Sequence, residues 1–469
     1  MSRLSPIDAS FLHLESARAH MNVGWSAFGT VPAGVARPTV AALRARVASR
    51  LRYVPRCRQR LQFHPLGLGE PHWVDDDEFD LDAHVVALGP PGEALSPARF
   101  AELRDALLSN PLDRARPLWQ IALAPALEDR RIAVVGRVHH ALADGAAAMQ
   151  IAGLGLDGDD GDVPPSFPPW RPAPPPGLLL RAVDPLLHGA EGAARVVGDV
   201  ARATLHPRAS AGSVLRDAQR VAGALTEDLL PRAPNSQLNL ELGPRRTLIT
   251  HRVPLDELRL IGPGTLNDVA LAVVTGALRA LALECSRPAQ PLKALVPVDV
   301  RRAHQQGTLG NHVSLAAVWL PLDLSSPAAR LAHIRAATER FKQSDRPAGT
   351  SSVLAGLGLL PSGLRGALLR AAQPGAFNLS VSIIPGSRRP LHMLGVGLDE
   401  VYPVLPLTED QALSIGMLRY DQHLHFGLQA NPDGLPQATR LPDLLAREAH
   451  ALGLLARAPT SARPTRRAS

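Results

Sequence analysis

His139, His140, Asp144 and Gly145 stand together in the stretch RVHHALADGAAA, residues 137–148, and three chemistries compete for them. A metal site needs ligands that converge on one ion. Adjacent residues on an extended strand diverge instead, and no HExxH helix or further Cys/His cluster accompanies them, so no metal is expected. Histidines at a strand end can also be structural, each ring satisfied by backbone groups. The third reading is general-base chemistry. A neutral imidazole, whose unperturbed value lies near pH 6.5, can take the proton of a hydroxyl as that hydroxyl attacks an acyl carbon. Burial on an apolar face would keep such an imidazole neutral.

The flanking elements decide how the pair is presented. WQIALAP (119–125) and IAVVGRVHH (132–140) are short apolar runs rich in β-branched residues, separated by a passage that ends in the charged turn EDRR, and they read as neighbouring strands. If the second strand runs to its end, Ile132, Val134, Val138 and His140 share one face, and Arg137 and His139 share the other. His140 then points where the apolar residues point. Ser96 before Pro97 opens a helix over SPARFAELRDALLS, and Ser326 before Pro327 opens another over SSPAARLAHIRAATERF. TLNDVALAVVTGALRALALE places Leu266, Val269, Val273, Ala277 and Leu281 on one helical stripe, with Asn267 or Asp268 near its start. LKALVPVDVR reads as a strand, ALSIGMLRY and HLHFGLQA as an antiparallel pair, and RLPDLLAREAHALGLLARA as a closing amphipathic helix. Strands interleave with helices throughout, which is an α/β pattern.

HHxxxDG is the signature of acyltransferases built like chloramphenicol acetyltransferase, and peptide-synthetase condensation domains also carry it. His139 and Asp144 satisfy HxxxxD as well, the mark of membrane-bound glycerolipid acyltransferases, but that pattern fixes two positions where HHxxxDG fixes four. Along nearly its full length the chain resembles the bacterial wax ester synthase/diacylglycerol acyltransferase family. The opening LSPIDASFLHLESARAHMNVG, then NPLDRARPLW, HHALADG, LNLELGPRR, LNDVALAVVTGALR, VPVDVR and LGNH are similar to that family's blocks in order. Two positions depart: Ile383, in SIIPGS, stands within what is usually an SNVPGP-like turn, and Asp299, in VPVDVR, stands where Ser is usual.

The resemblance implies an α/β fold of two chloramphenicol acetyltransferase-like domains, each a mixed sheet flanked by helices, with the active site at their interface. It implies transfer of a long-chain acyl group from acyl-CoA, as co-substrate, to diacylglycerol or a long-chain alcohol, without a cofactor and without a covalent acyl-enzyme. His140 is the expected base, with His139 supporting it. Asp144 pairs with an arginine and fixes the turn or orients the imidazole, and Gly145 allows the turn's backbone. Asn267 is either an oxyanion donor or a helix cap. Pro117, Leu118 and Trp119 either shape the acyl channel or pack the core. The alternatives of another class are a non-catalytic lipid-binding or droplet-coating protein of the same fold and a condensation-type enzyme acting on carrier-bound substrates.

At 469 residues, with 45% hydrophobic and 20% charged residues, the chain should form two domains rather than one core or a disordered polymer. The expected division is 1–160, an N-terminal domain; 161–235, a proline-rich connection with crossover helices; and 236–469, a C-terminal domain. Cys57 and Cys285 have no CxxC partner, so neither a disulfide framework nor a thiolate metal site is expected. No signal peptide or spanning helix is expected, which points to a cytoplasmic protein. The net charge of +7 rests almost wholly on arginine, because Lys293 and Lys342 are the only lysines. Such a surface suits phosphates, including coenzyme A and anionic headgroups of a membrane or lipid droplet. No basic-aromatic module for nucleic acid is present.

Overall fold

The computed structural model describes residues 2–64, 70–143, 145–157, 170–174, 231–259, 264–299, 313–344 and 362–457, with four isolated positions between 353 and 360. The proline-dense connection and the crossover segment expected over 161–235 lie almost entirely outside the described residues. The first half contains strands β1 (Ser2–Arg3), β2 (Asn22–Thr30), β3 (Gln59–Gln62), β4 (His72–Asp75), β5 (Val85–Ala87), β6 (Trp119–Ala124) and β7 (Arg131–His139). Its helices are α1 (Pro6–Leu14), α2 (Val40–Arg50), α3 (Leu81–His84), α4 (Pro97–Ser109) and α5 (Gly145–Gly153). The second half contains β8 (Thr247–Pro254), β9 (Leu292–Asp299), β10 (Val313–Leu320), β11 (Leu379–Ile384), β12 (His392–Met393), β13 (Val396–Val404), β14 (Leu413–Tyr420) and β15 (His423–Ala430). Its helices are α6 (Leu255–Arg259), α7 (Leu266–Glu284), α8 (Pro327–Gln343), α9 (Ser362–Ala372) and α10 (Leu441–Arg457).

Two mixed six-stranded sheets carry the fold, in the orders β12-β13-β2-β7-β6-β5 and β10-β9-β11-β14-β15-β8. The α/β class expected from the sequence is the class observed. The sheets do not follow the division of the chain at residue 236, however: the hairpin β12-β13 pairs with β2 and so completes the first sheet from the second half. β13 also packs across the second sheet. A Cβ on Gly427 would stand 1.8 Å from the Pro403 carbonyl oxygen, so β15 meets β13 backbone to backbone there.

β7 is central in the first sheet and buried on both faces, which explains its unbroken apolar run. Ile132, Val134 and Val138 join one core and Ala133 and Val135 another, the alternation that the sequence implies. β2, its partner, is hidden in the sequence because NVGWSAFGT mixes glycine, serine and apolar residues. Its glycines and the one facing it answer to close contacts: a Cβ on Gly136 would stand 2.1 Å from the Trp25 ring, so that indole lies flat on β7.

The helices begin where local chemistry starts them. Ser96 accepts from Arg99 N at 3.2 Å at α4, and Ser326 accepts from Ala329 N at 3.4 Å at α8. At α7 the cap is Thr265, in a reciprocal box with Asp268, so neither Asn267 nor Asp268 is the capping residue. α7 is long and apolar enough to cross a bilayer by composition, but every residue from Asp268 to Leu278 is buried inside the protein. It is the core helix of the second sheet.

Candidate active site

β7 delivers HHALADG to its turn and ends on His139. Hydrogen bonds hold the two histidine backbones from opposite sides: His139 N donates to Leu118 O on the β6 side at 3.0 Å, and His140 N donates to Met21 O beside β2 at 2.7 Å. The turn then tightens, with Leu142 N donating to His139 O at 2.8 Å, before α5 starts at Gly145. The His140 ring is half-buried and stacks face to face on Phe11 of α1, with centroids 3.8 Å apart and planes 5° from parallel. An apolar ring against one face fixes the plane of the imidazole.

His139 is differently placed. It is buried, its Nδ1 accepts from Ala141 N at 3.0 Å, and its Nε2 stands 3.4 Å from Glu15 Oε2. The first contact sets the tautomer. A ring whose Nδ1 accepts carries its proton on Nε2 when neutral, and that nitrogen faces the carboxylate. Glu15 also receives Arg114 Nε at 2.8 Å. Burial works to raise the Glu15 carboxyl, but hydrogen bonding and charge from His139 and Arg114 outweigh it and lower it to about 2. Glu15 therefore stays charged beneath the turn. Arg137, on the His139 face of the strand, is buried and donates to Leu107 O at 2.7 Å and Asn110 O at 2.6 Å, satisfying carbonyls at the end of α4.

Asp144 lies outside the described residues, as does the side chain of Asp299, and Gly145 is the first residue of α5. Pro117, Leu118 and Trp119 are buried; Trp119 donates from Nε1 to Cys57 O at 2.7 Å and stacks on His84. These contacts are those of core packing, and Leu118 adds the carbonyl that holds His139. Asn267 is in the first turn of α7, with its side chain exposed to solvent. The cap, one of the two roles open to it, belongs to Thr265. Ile383, where the family's turn differs, packs against the core of the second sheet.

Glu15 and Phe11 are the site residues that sequence reasoning missed. Both lie in the opening block SPIDASFLHLE, whose only local signals are the Ser5 cap, which accepts from Asp8 N at 3.0 Å, and Pro6 after it. Among the described residues, no group of three or more His, Cys, Asp or Glu side chains is placed to hold a metal ion.

Residues 4–270 match the wax ester synthase/diacylglycerol acyltransferase catalytic domain, and residues 309–452 match the C-terminal domain of the same family. The chain is 30% identical to "Probable diacyglycerol O-acyltransferase tgs1" of Mycobacterium tuberculosis, over 94% of this chain and 93% of the relative. It is likewise 30% identical to "Probable diacyglycerol O-acyltransferase tgs2" of the same organism, over 94% of this chain and 96% of the relative. Among solved structures, the wax ester synthase/diacylglycerol acyltransferase from Marinobacter aquaeolei VT8 superposes with a TM-score of 0.66 at 26% identity, covering 97% of this chain and all of that one. The starter condensation domain of rhizomide synthetase shares the fold, with a TM-score of 0.57 at 16% identity, over 97% of this chain and 94% of that one. With two family domains in order over most of its length, and HHALADG at the end of a central strand, the chain belongs to the wax ester synthase/diacylglycerol acyltransferase family.

Proposed function

We propose that this protein is an O-acyltransferase that moves a long-chain acyl group from acyl-CoA to diacylglycerol, giving triacylglycerol, and to long-chain alcohols, giving wax esters. The observation that carries the reading is the His140 imidazole: half-buried, held in plane by Phe11, and fixed by its backbone at the end of the central strand. His140 accepts the hydroxyl proton as the alcohol oxygen attacks the thioester carbonyl carbon. The tetrahedral intermediate then expels the coenzyme A thiolate, which takes the proton back from the imidazolium. Ester and free thiol result, and no covalent acyl-enzyme forms.

The neighbours position rather than react. His139 braces the turn through Ala141 and Glu15, and Asp144 is proposed to fix the turn through an arginine, with Gly145 allowing its backbone. Lipid substrates and an arginine-rich surface support peripheral association with the cytoplasmic side of the inner membrane or with lipid droplets. The test uses purified protein with radiolabelled palmitoyl-CoA and either diacylglycerol or hexadecanol. Labelled triacylglycerol or wax ester is the expected product. No transfer from free acyl-CoA, with transfer from a carrier-bound acyl group instead, would replace this reading with a condensation-type one.

A further inference from the structure

α9 wears its amphipathic character inside out. A helix that meets water turns polar residues outward and an apolar stripe to the core. On α9 the buried residues are Ser362, Arg365 and Gly366, and the opposite face exposes Gly363, Leu364, Ala367, Leu368 and Ala371. Leu364 is 52% exposed and Leu368, one turn on, is 45% exposed, whereas Arg365 is 2% exposed. The inward arginine pairs with Glu70, itself 4% exposed. A buried pair of this kind adds little stability, but separating it strands a charge in the interior, so it locks the rotation of α9 with the leucines outward. Gly366 marks where α9 meets α1: a Cβ there would stand 2.8 Å from His13 Nδ1. α1 carries Phe11, the ring stacked on His140, so the outward leucines are one helix removed from the proposed base.

The rim of this face is cationic. Arg370, exposed at its edge, donates to His13 O at 3.2 Å, and among the described residues no carboxylate pairs with it. Burial lowers the His13 imidazole first, and the charges of Arg365, Arg370 and Arg114 lower it further, which is the mark of a positive potential at the root of α9. Outward leucines beside an unneutralised guanidinium match an anionic phospholipid surface, where apolar side chains enter the headgroup boundary and arginine meets phosphate. We propose that the outer face of α9 docks this protein on an anionic phospholipid bilayer, with Leu364 and Leu368 in the interface and Arg370 at the phosphates. The proposal names the surface for the peripheral association above. It rests on the lipid-substrate reading for its purpose: an acceptor held in a lipid phase must be met by a face close to the site that uses it.

The experiment floats the full-length protein with vesicles of phosphatidylcholine alone and of phosphatidylcholine mixed with phosphatidylglycerol. It compares wild type with Leu364→Glu/Leu368→Glu, Arg370→Glu and Leu283→Glu. Leu283 is the control, 52% exposed at the end of α7 beside Glu284 and the arginines that pair with it. Wild type should rise with the anionic vesicles. The double variant should bind them about tenfold or more weakly, Arg370→Glu about fivefold or more weakly, and Leu283→Glu as wild type does. Circular dichroism establishes folding, and Leu364→Ser/Leu368→Ser replaces the double variant if the added charges prevent it. Wild type that binds neither vesicle, or both equally, would overturn the proposal, as would a folded double variant that binds like wild type. A double variant altered only in its mass by light scattering would also overturn it, by making the face a contact between copies of this chain. Acyl transfer is read separately in solution with butyryl-CoA and hexanol, where the double variant should match wild type. If wild type transfers no acyl group to any acceptor, the functional reading fails, and flotation still decides the surface.

Discussion

At the scale of residues, His139 and His140 divide the labour by the faces they occupy. His139 spends its Nδ1 on Ala141 N and turns Nε2 to Glu15, so its ring is committed to the turn. His140 is held by its backbone N–H on Met21 O and stacks its ring on Phe11. Thr265 and Asn267 divide in the same manner, one bonded and one exposed. Thr265→Ala should therefore cost about 1 kcal/mol of stability through the lost cap. Asn267→Ala should leave both melting temperature and turnover within a few-fold of wild type. A hundredfold loss of turnover in a stable Asn267→Ala protein would restore the oxyanion role to that amide. The motif was legible because four fixed positions sit in one short stretch. Glu15 was not, because its partners Arg114 and His139 are brought to it only by the tertiary fold.

At the scale of elements, local signals and long-range pairings differ in how they can be read. Ser-Pro starts at α4 and α8 specify their helices within one turn, and the runs forming β6, β7, β14 and β15 specify themselves by their apolar character. The return of β12-β13 to the first sheet has no local signal, since what selects it is contact with β2 and with the second sheet. Gly427 marks that contact. Gly427→Ala should overpack against Pro403 and cost about 1–3 kcal/mol or more, read as a lower melting temperature. Gly397→Ala, whose Cβ would stand 3.5 Å from His392, meets only an ordinary van der Waals contact and is the control. Equal melting temperatures for the two variants would contradict the backbone-to-backbone crossing.

At the scale of the whole molecule, burial of titratable groups makes the fold acid-labile. Burial is the leading cause that lowers His13, His20, His84, His251 and His425, the last to about 3. Between pH 6.5 and the lowered folded values, the unfolded chain binds protons that the folded chain refuses, so stability falls with falling pH. Glu15 adds a lower window: its contribution is complete above about 4.5 and is lost as pH falls towards about 2. Melting temperature should thus decline from pH 7 to pH 5, and His425→Phe should flatten the decline. An unchanged slope in that variant would show that His425 is not held neutral. None of this was legible in the sequence, because the same histidine is exposed or buried according to strand pairings that no local pattern states.

The central claim is that His140 is the base and His139 its support. The most direct measurement is acyl transfer from palmitoyl-CoA by wild type, His140→Ala and His139→Ala, with circular dichroism on each preparation. The account predicts a folded His140→Ala protein slowed by about a hundredfold to ten-thousandfold, the usual cost of a lost general base, and a His139→Ala protein that keeps a larger share of its activity. A folded His140→Ala protein turning over near the wild-type rate would contradict it.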